Sequence, residues 1–563
     1  MDSQPHNQPK AQSLEDPFYY LANANTLIHW VITLHAELLN ESETALIGHY
    51  LSLPKKAQAL LIRMIMRTQT IYRASQLQHY TEIGSDIEEL ATQLEQCELI
   101  ERDSLLELNE VAALINKEEL LALAKRFIPT PLAKSSSKRA LLELLNIQSL
   151  PAKRLSEWLA VPTDSFKLKC QPLFDRLRLM FFGNLRQSWS EFVVTELGYF
   201  NYEPIQLDDS SRAFHHRTEV DQYLALNAIY EESETTPLPE RIIRAQEITP
   251  INIWIAGRHG RLLFNLGQEA ERAADLDTAL SLYEASSLGD ALIRELRLLE
   301  KSERYEAIAP RITGYRQESP YRPTPLQELL INRVEKRLSK KLQTLFTPIT
   351  LKEPERIYLT TPKLDTLRVE QTTALALSKD SNVLFYVENC LINTLFGLLF
   401  WDVLYAPIPG AFFHPFQAQP ADLYRSNFKE QRADLIQECF IRLDNGDYQA
   451  AIRDRYQEKY GITNSFIHWS VVSNELLEMA LEFIPAKHLK KIFERLISDL
   501  RNHRSGFPDL IEFNLKDRNY RLIEVKGPGD RLQDNQKLWL DYFVEQEIPS
   551  AVCWVEWQQD DSQ

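Results

Sequence analysis

GFPDLIEF (Gly506–Phe513) and YRLIEVKG (Tyr520–Gly527) are two runs with the pattern of β-strands, and each places a carboxylate beside a proline or a glycine. Alternate side chains of a strand lie on the same face, so Glu524 and Lys526 point to one side of the second run. Asp509 opens the first run. If the two runs pair as a hairpin, the Asp509 carboxylate meets that of Glu524. The sequence therefore predicts two acids and one ammonium group together at one end of a hairpin.

These groups are typical of a metal-dependent nuclease. Carboxylate and backbone carbonyl oxygens suit Mg²⁺ or Mn²⁺, and a neighbouring lysine can stabilise negative charge on a phosphate. A Glu-Xaa-Lys pattern on a strand is more often a solvated ion pair. Here, however, Glu524 interrupts the apolar stretch Leu522–Val525, where an unpaired charge is costly. We therefore favour a metal site over a surface ion pair.

The flanking sequence predicts the rest of a small α/β domain. Apolar spacing predicts helices over Lys487–Arg504 and Asp530–Gln546 and a strand over Ser550–Trp557. The order is helix, strand, strand, helix, strand. Together with EVKGPGDRL (Glu524–Leu532) and Gln536, this order closely resembles the VRR-nuc branch of the Pro-Asp/Glu-Xaa-Lys nuclease superfamily. The resemblance implies a C-terminal α/β domain of the restriction-endonuclease type.

Segments further upstream resemble the Fanconi-associated nuclease family, in bacterial form. These segments are Tyr386–Asn389, Asn393–Asp402, Ile408–Phe412, Pro415–Ala418, Phe182–Leu185, Glu191–Val193 and Glu196–Gly198. In that family a glutamate at the place of Glu388 completes the metal cluster. Without the resemblance, Glu388 is better explained as a carboxylate at the start of a helix, where the helix dipole favours it.

The resemblance implies a site and a reaction. Glu388, Asp509, Glu524 and the Val525 carbonyl are implied to hold one or two Mg²⁺ or Mn²⁺ ions, and Lys526 to assist catalysis. The supporting residues are expected to be Gln536 and Arg531. The implied activity is cleavage of branched DNA near a 5′ flap, with 5′-to-3′ exonuclease activity, in the repair of DNA interstrand crosslinks.

Two other functions stay open from the sequence alone. A junction resolvase of the same fold would share the metal site but not the long N-terminal body. A non-catalytic repair scaffold would be expected to have lost some of the carboxylates. All three carboxylates and the lysine are present, so the sequence favours an enzyme.

Composition sets the outer bounds of the fold. The chain has 563 residues, of which 44% are hydrophobic and 25% charged, and this predicts three or four globular domains. Five cysteines lack paired spacing, and twelve histidines do not cluster with them, so we expect neither disulfides nor zinc. No signal peptide or membrane-length apolar run is evident. We therefore expect a cytoplasmic protein that joins the nucleoid when bound to DNA, or a nuclear one in a eukaryote, without a membrane partner.

Charge is distributed unevenly along the chain. The net charge is −16, and residues 1–110 carry 7 basic against 16 acidic side chains. Residues 485–537 carry 12 against 8, residues 117–140 carry 6 against 2, and residues 165–190 carry 5 against 1. Basic segments on an acidic body predict a defined DNA path. The candidate DNA-binding residues are Lys134, Lys138, Arg139, Lys167, Lys169, Arg176 and Arg178.

We expect a multidomain, mainly α chain that ends in the nuclease domain. The predicted segments are a helical domain (1–100), a SAP-like DNA-binding module (101–150), a DNA-contacting helical segment (151–240), a TPR-like helical domain (241–385) and the nuclease domain (386–563). An ordinary helical hairpin explains 101–150 about as well as a SAP module does. Residues 347–388 are predicted to be less regular.

Two of these segments carry further expectations. The predicted TPR-like helices are Asn252–Leu266, Glu269–Ser286, Gly289–Lys301 and Tyr305–Tyr315. Their expected role is architectural, with a protein partner as the sharper hypothesis. The aromatic residues beside the basic segment 165–190 are expected to be core more often than DNA-stacking groups. They are Trp189, Phe192, Tyr199, Phe200 and Tyr202.

Overall fold

The computed structural model describes residues 16–187, 189, 201–318 and 323–558, apart from 68, 130, 209 and 380. The family-like segments at 191–193 and 196–198 and the aromatic residues Phe192, Tyr199 and Phe200 lie outside the described residues. The described chain is mainly helical with a C-terminal mixed sheet, which confirms the predicted fold class. It divides into two units, one made of residues 1–201, 206–220 and 413–416 and the other of the remainder.

The first unit combines helices with a small sheet. Its helices are Tyr19–His35, Ala36–Leu38, Glu41–Ser52, Lys55–Ile65, Ala74–Leu77, Ile87–Gln96, Leu108–Leu114, Lys117–Phe127, Lys138–Asn146, Leu155–Leu159 and Gln171–Phe182. The strands β1 (Ile71–Arg73), β2 (Ile100–Arg102) and β3 (Ser165–Leu168) form an antiparallel sheet in the order β1-β3-β2. The sheet joins parts of three predicted segments. Strands of three or four residues are too short to show an alternating pattern in the sequence.

The two helices predicted around the basic serine turn are present. Asn116 caps Lys117–Phe127 and Ser137 caps Lys138–Asn146, each accepting a backbone N–H bond inside the first turn. Both helices pack on one core, in which the Trp158 ring is fully buried and its indole N–H donates to the Leu106 carbonyl at 3.0 Å.

The second unit begins with paired helices. The helix Arg217–Glu231 crosses from the first unit, and it is followed by Glu232–Glu234, Leu238–Gln246, Ile253–Arg272, Leu276–Ala285, Gly289–Lys301, Tyr305–Glu318 and Pro325–Leu342. The sequence predicts that one helix ends at Leu266 and the next begins at Glu269. This is wrong, because a single continuous helix spans Ile253–Arg272. Gly267 lies inside this helix where the Tyr283 ring packs against its backbone, and a Cβ there would lie 2.7 Å from that ring.

The C-terminal sheet has five strands. They are β4 (Glu355–Thr361), β5 (Asn382–Tyr386), β6 (Leu510–Asn514), β7 (Asn519–Lys526) and β8 (Ser550–Trp557), in the order β4-β8-β7-β6-β5. Strands β4, β8 and β7 are parallel, whereas β7, β6 and β5 are antiparallel. The expectation that residues 347–388 are irregular is wrong. These residues supply two strands and a helix, and β4 pairs with β8 almost two hundred residues later, a partnership that local sequence does not reveal.

Helices cover both faces of this sheet. They are Val369–Leu377, Leu391–Leu399, Trp401–Leu404, Phe428–Gln431, Ala433–Asn445, Tyr448–Glu458, Asn474–Phe483, Ala486–Ser498 and Asp534–Glu545. Side chains of Asp534–Glu545 join the large core on the face that carries Ile511, Phe513 and Val552. Side chains of Val369–Leu377 pack on the opposite face, against Ile523 and Val525. Among the described residues, no helix is long and apolar enough to cross a membrane.

Candidate active site

The predicted hairpin is present and fixes the position of Asp509 beside Glu524. Leu510 of β6 pairs with Ile523 of β7, so the residues next to them, Asp509 and Glu524, are neighbours at one end of the sheet. The Val525 N–H donates to Asp509 Oδ2 at 2.8 Å. Both side chains are buried, with Asp509 6% and Glu524 1% exposed.

Glu388 reaches the same end of the sheet from β5. The Val387 N–H donates to the Asp509 carbonyl at 2.8 Å, which continues the β5–β6 ladder by one residue and places Glu388 immediately after it. The Tyr386 hydroxyl donates to Glu388 Oε2 at 2.5 Å. Because the charge of Glu388 contributes to raising the pKa values of both Asp509 and Glu524, the three carboxylates share one electrostatic environment.

Lys526 and Gln536 both bind Glu524. Lys526 Nζ lies 2.7 Å and Gln536 Nε2 2.5 Å from Glu524 Oε1. Gln536 also closes the capping box that starts the helix Asp534–Glu545, so the helix start is tied to β7. The other oxygen of Glu524, Oε2, is buried and has no hydrogen-bond partner. A buried carboxylate oxygen without a partner is costly, and a bound cation would satisfy it.

Burial and neighbouring charge both act on the pKa values of the two buried acids. Burial, together with the charge of Glu388, raises the pKa of Asp509 to about 6. Burial, followed by the charge of Asp509, raises the pKa of Glu524 to about 8. Lys526 opposes the second shift through its hydrogen bond and its charge. A divalent cation bound among these crowded acids would stabilise their ionised forms.

In the described part of the chain, the acidic side chains are not arranged as a complete metal site. Among the residues described, no group of three or more His, Cys, Asp or Glu side chains is placed to hold one ion. Glu524 is held by Lys526 and Gln536, and Glu388 is held by Tyr386. The donor chemistry and the unpartnered oxygen fit a hard divalent cation, so coordination by this set stays a prediction.

Several site residues were not identified from the sequence. Asn389 adopts a left-handed backbone conformation (φ 51°) directly after Glu388, and its Oδ1 accepts from the Phe507 N–H at 3.1 Å. Asn393 Nδ2 donates to the Asn389 carbonyl at 2.7 Å. These contacts tie the Glu388 loop to the segment before Asp509. In the sequence, the signal for these contacts is Asn393, a polar residue inside an apolar helical stretch.

A fourth carboxylate, Glu370, stands near the cluster. It lies in the first turn of Val369–Leu377, and its charge contributes to raising the pKa values of Asp509 and Tyr386. The start of that helix is close to the end of β7, because a Cβ on Gly527 would lie 3.6 Å from Val369. Sequence reasoning missed Glu370 because it lies more than a hundred residues before the hairpin, in the segment predicted to be irregular.

The remaining predicted residues lie in several environments. Arg531 is exposed in the loop after β7. Most candidate DNA-binding residues contact groups of the protein itself: Lys138 Nζ donates to the Ile115 carbonyl at 2.7 Å, Arg139 pairs with Glu143 at 2.9 Å, Lys167 with Glu110 at 2.9 Å, Arg176 with Glu43, and Arg178 with Asp175 at 3.0 Å. Lys134 and Lys169 are exposed. Trp189 is buried, as expected for a core residue.

Comparison with known proteins gives consistent matches. The VRR-NUC domain family matches residues 443–557, and the family described as FAN1, HTH domain matches residues 18–101. The chain is 40% identical over 572 residues to the Fanconi-associated nuclease 1 homolog of Pseudomonas aeruginosa, covering 99% of this chain and 98% of that protein. It is 21% identical over 615 residues to the Arabidopsis thaliana homolog, covering 95% and 66%.

A solved structure matches along nearly the whole chain. The crystal structure of paFAN1 bound to DNA that carries a two-nucleotide 5′ flap and a gap aligns with this chain with a TM-score of 0.84 and 40% identity. The alignment covers 98% of this chain and all of that one. A second structure, with a one-nucleotide 5′ flap, aligns with the same TM-score and covers 97% of this chain.

Proposed function

The chain belongs to the Fanconi-associated nuclease family, and from this membership we propose that it is a divalent-metal-dependent nuclease that cuts branched DNA near 5′ flaps. The proposal includes 5′-to-3′ exonuclease activity and a role in the repair of DNA interstrand crosslinks. The observation that carries it is the cluster of Glu388, Asp509 and Glu524 beside Lys526 at the end of the sheet. Its support is the relative with a 5′-flap DNA complex.

The residues proposed to hold Mg²⁺ or Mn²⁺ are Glu388, Asp509, Glu524 and the Val525 carbonyl, and Glu370 adds capacity for a second ion. Such an ion, when bound, supplies a Lewis acid that lowers the pKa of water and neutralises charge on a phosphate. Binding of this ion would give the buried Glu524 Oε2 the partner that it lacks. The chain itself holds Glu388 and Glu524 in position through hydrogen bonds from Tyr386, Asn389 and Gln536.

Lys526 is the proposed catalytic cation. Its ammonium group lies 2.7 Å from Glu524 Oε1 and its side chain is buried, so it is fixed at the end of β7. In that position it can donate a hydrogen bond to the attacking water or to a nonbridging phosphate oxygen as negative charge develops on phosphorus. Gln536 holds the shared Glu524 oxygen from the other side.

The domain boundaries are also a proposal. Since β4 and β5 belong to the same sheet as the catalytic hairpin, we place the start of the nuclease domain near residue 355 rather than 386. The paired helices between residues 238 and 342 fit the proposed architectural role of the TPR-like segment, for which we also propose a protein partner. A DNA-repair role places the protein on the nucleoid of a bacterial cell.

Cleavage of end-labelled 5′-flap DNA by the full chain, with and without Mn²⁺, tests this function. We expect cuts near the flap junction only with the metal, and none by Asp509→Ala or Lys526→Ala, both of which should still bind DNA. Asp517→Ala, which removes an exposed acid at the opposite end of the same hairpin, is the matched control. Equal cleavage of flap, nicked and four-way junction DNA would favour the junction resolvase. Uncut flap DNA with Mn²⁺ would favour the scaffold.

A further inference from the structure

The face of the sheet that carries Glu524 and Lys526 continues across β8 and β4 as an aromatic row. In the parallel register, Lys526 pairs with Trp554, and Trp554 pairs with Tyr358. Paired residues of neighbouring strands point to the same face, and the strands lie roughly 5 Å apart. Trp554 and Tyr358 are therefore about one and two strand spacings from the proposed catalytic lysine.

This face is open at β4. Arg356, Tyr358 and Thr360 are exposed, whereas Ile357 and Leu359 are half-buried on the other face. Tyr358 is 71% exposed. An exposed tyrosine on an edge strand contributes nothing to the core, and no element covers it in the part of the chain that the structure describes.

A cavity of about 220 Å³ lies beside this row. Its walls include Val552 and Trp554 of β8, Leu532 of the loop after the catalytic strand, and Leu540 of the following helix. Val552 is the register partner of Glu524, so the cavity and the proposed active site border the same two strands. The cavity and the proposed active site therefore lie on the same face of β7 and β8, and the helix Asp534–Glu545 contacts both, through Leu540 and through Gln536.

The rim of the cavity is basic. Lys352, Arg356 and Lys537 line it together with a single acid, Glu353. Arg356 pairs with Glu353 and hydrogen-bonds with the Tyr358 side chain at the surface, and Lys352 Nζ lies 3.9 Å from Glu545; surface ion pairs of this kind contribute little to stability. Lys537 stands next to Gln536, which binds Glu524. Three exposed cations around aromatic rings are typical of a site for a nucleic-acid strand.

We propose that Trp554 and Tyr358, with Arg356 and Lys537, form a track for unpaired nucleotides of the DNA strand that is cut. Bases would stack on the two rings, and phosphates would contact the two cations. Stacking requires a free base face, so the track would select unpaired over duplex DNA next to the proposed active site. This inference rests on the proposed function.

The test measures DNA binding by the full chain in EDTA, where cleavage does not interfere. The probe is a 5′-flap DNA with 2-aminopurine at the unpaired nucleotide nearest the junction, compared with nicked duplex lacking unpaired bases. Tyr358→Ala should weaken flap binding roughly 5- to 100-fold and remove quenching of the probe, while leaving nicked-duplex binding unchanged. Tyr358→Trp should restore both. Lys537→Ala should lower the salt dependence of flap binding by about one ion.

Matched controls separate the track from general effects. Tyr230→Ala removes another exposed tyrosine (57%), and Lys516→Ala removes a cation at the opposite end of the same sheet; neither should alter flap binding. If Tyr358→Ala binds and quenches as the unaltered chain does, the track is refuted. If instead the unaltered chain does not cut flap DNA with Mn²⁺, the proposed function fails. Cleavage and DNA binding are measured in separate assays, so the failure of the function can be told apart from the failure of the track.

Discussion

Replacing Glu524 with glutamine should make the metal-free protein more stable while abolishing cleavage. Glu524 is 1% exposed, its Oε2 has no partner, and burial beside Asp509 raises its pKa to about 8. A carboxyl whose folded pKa lies above its unfolded value favours folding below the unfolded value and loses that contribution as pH rises through the folded one. Glutamine has the same shape and carries no charge.

The magnitude follows from the pKa difference. Each unit corresponds to about 1.36 kcal/mol, and between pH 6 and pH 8 the Glu524 carboxyl is ionised in the unfolded chain but largely protonated in the folded one, so stability falls by about 2 kcal/mol over that range. The variant lacks this loss. Because the chain divides into two units, we expect more than one unfolding step, and the measured quantity is therefore the melting temperature of the nuclease domain in EDTA.

The assay compares Glu524→Gln with the unaltered chain at pH 6 and pH 8, with EDTA or with Mn²⁺. We expect the variant to melt higher at pH 8 in EDTA, to depend less on pH, and to gain little from Mn²⁺. The unaltered chain should gain most from Mn²⁺ at pH 8, where the ion replaces protons on the acids. A variant that melts lower than the unaltered chain at pH 8 in EDTA would refute the argument that the site is strained for metal binding.

Other substitutions test other parts of the structure. Tyr386→Phe removes the hydroxyl that holds Glu388, and it should raise the Mn²⁺ concentration needed for half-maximal cleavage about tenfold or more; an unchanged requirement would count against that positioning role. Asp422→Ala leaves the fully buried Arg432 without its bidentate partner, which costs about 3–5 kcal/mol, and should lower the melting temperature of the nuclease domain; an unchanged melting temperature would show that the pair is dispensable. His414 is buried with a pKa lowered to about 3, so it stays neutral when folded; stability should fall below pH 6.5, where the unfolded ring protonates, and His414→Gln should reduce that fall by about 1 kcal/mol per pH unit.

The hairpin could be predicted because its signals are local. Alternation along β7, and a proline or glycine beside each acid, predict the strands and the shared face of Glu524 and Lys526. The observed strand Ser550–Trp557 has the predicted bounds, and the helix Asp534–Glu545 lies within its predicted range. Glu388 required a family resemblance, because nothing local connects it with residues more than a hundred positions later.

The missed features depend on distant contacts. β4 and Glu370 come from a segment more than a hundred residues before the hairpin, and β4 pairs with β8 almost two hundred residues later. The continuous helix through Gly267 depends on a ring from the next helix. The basic residues predicted from local charge include several that pair with acids remote in sequence, such as Arg176 with Glu43. Charge counts along a chain cannot reveal such partners.

The central claim is that Glu388, Asp509 and Glu524 bind a catalytic divalent cation. Anomalous diffraction from crystals soaked in Mn²⁺ tests it directly. We expect a manganese peak within bonding distance of Glu524 Oε2, Asp509 and the Val525 carbonyl, with Glu388 turned toward it, and no peak in the Asp509→Ala variant. Manganese bound elsewhere, or a protein that cuts DNA without any peak at this end of the sheet, would contradict the claim.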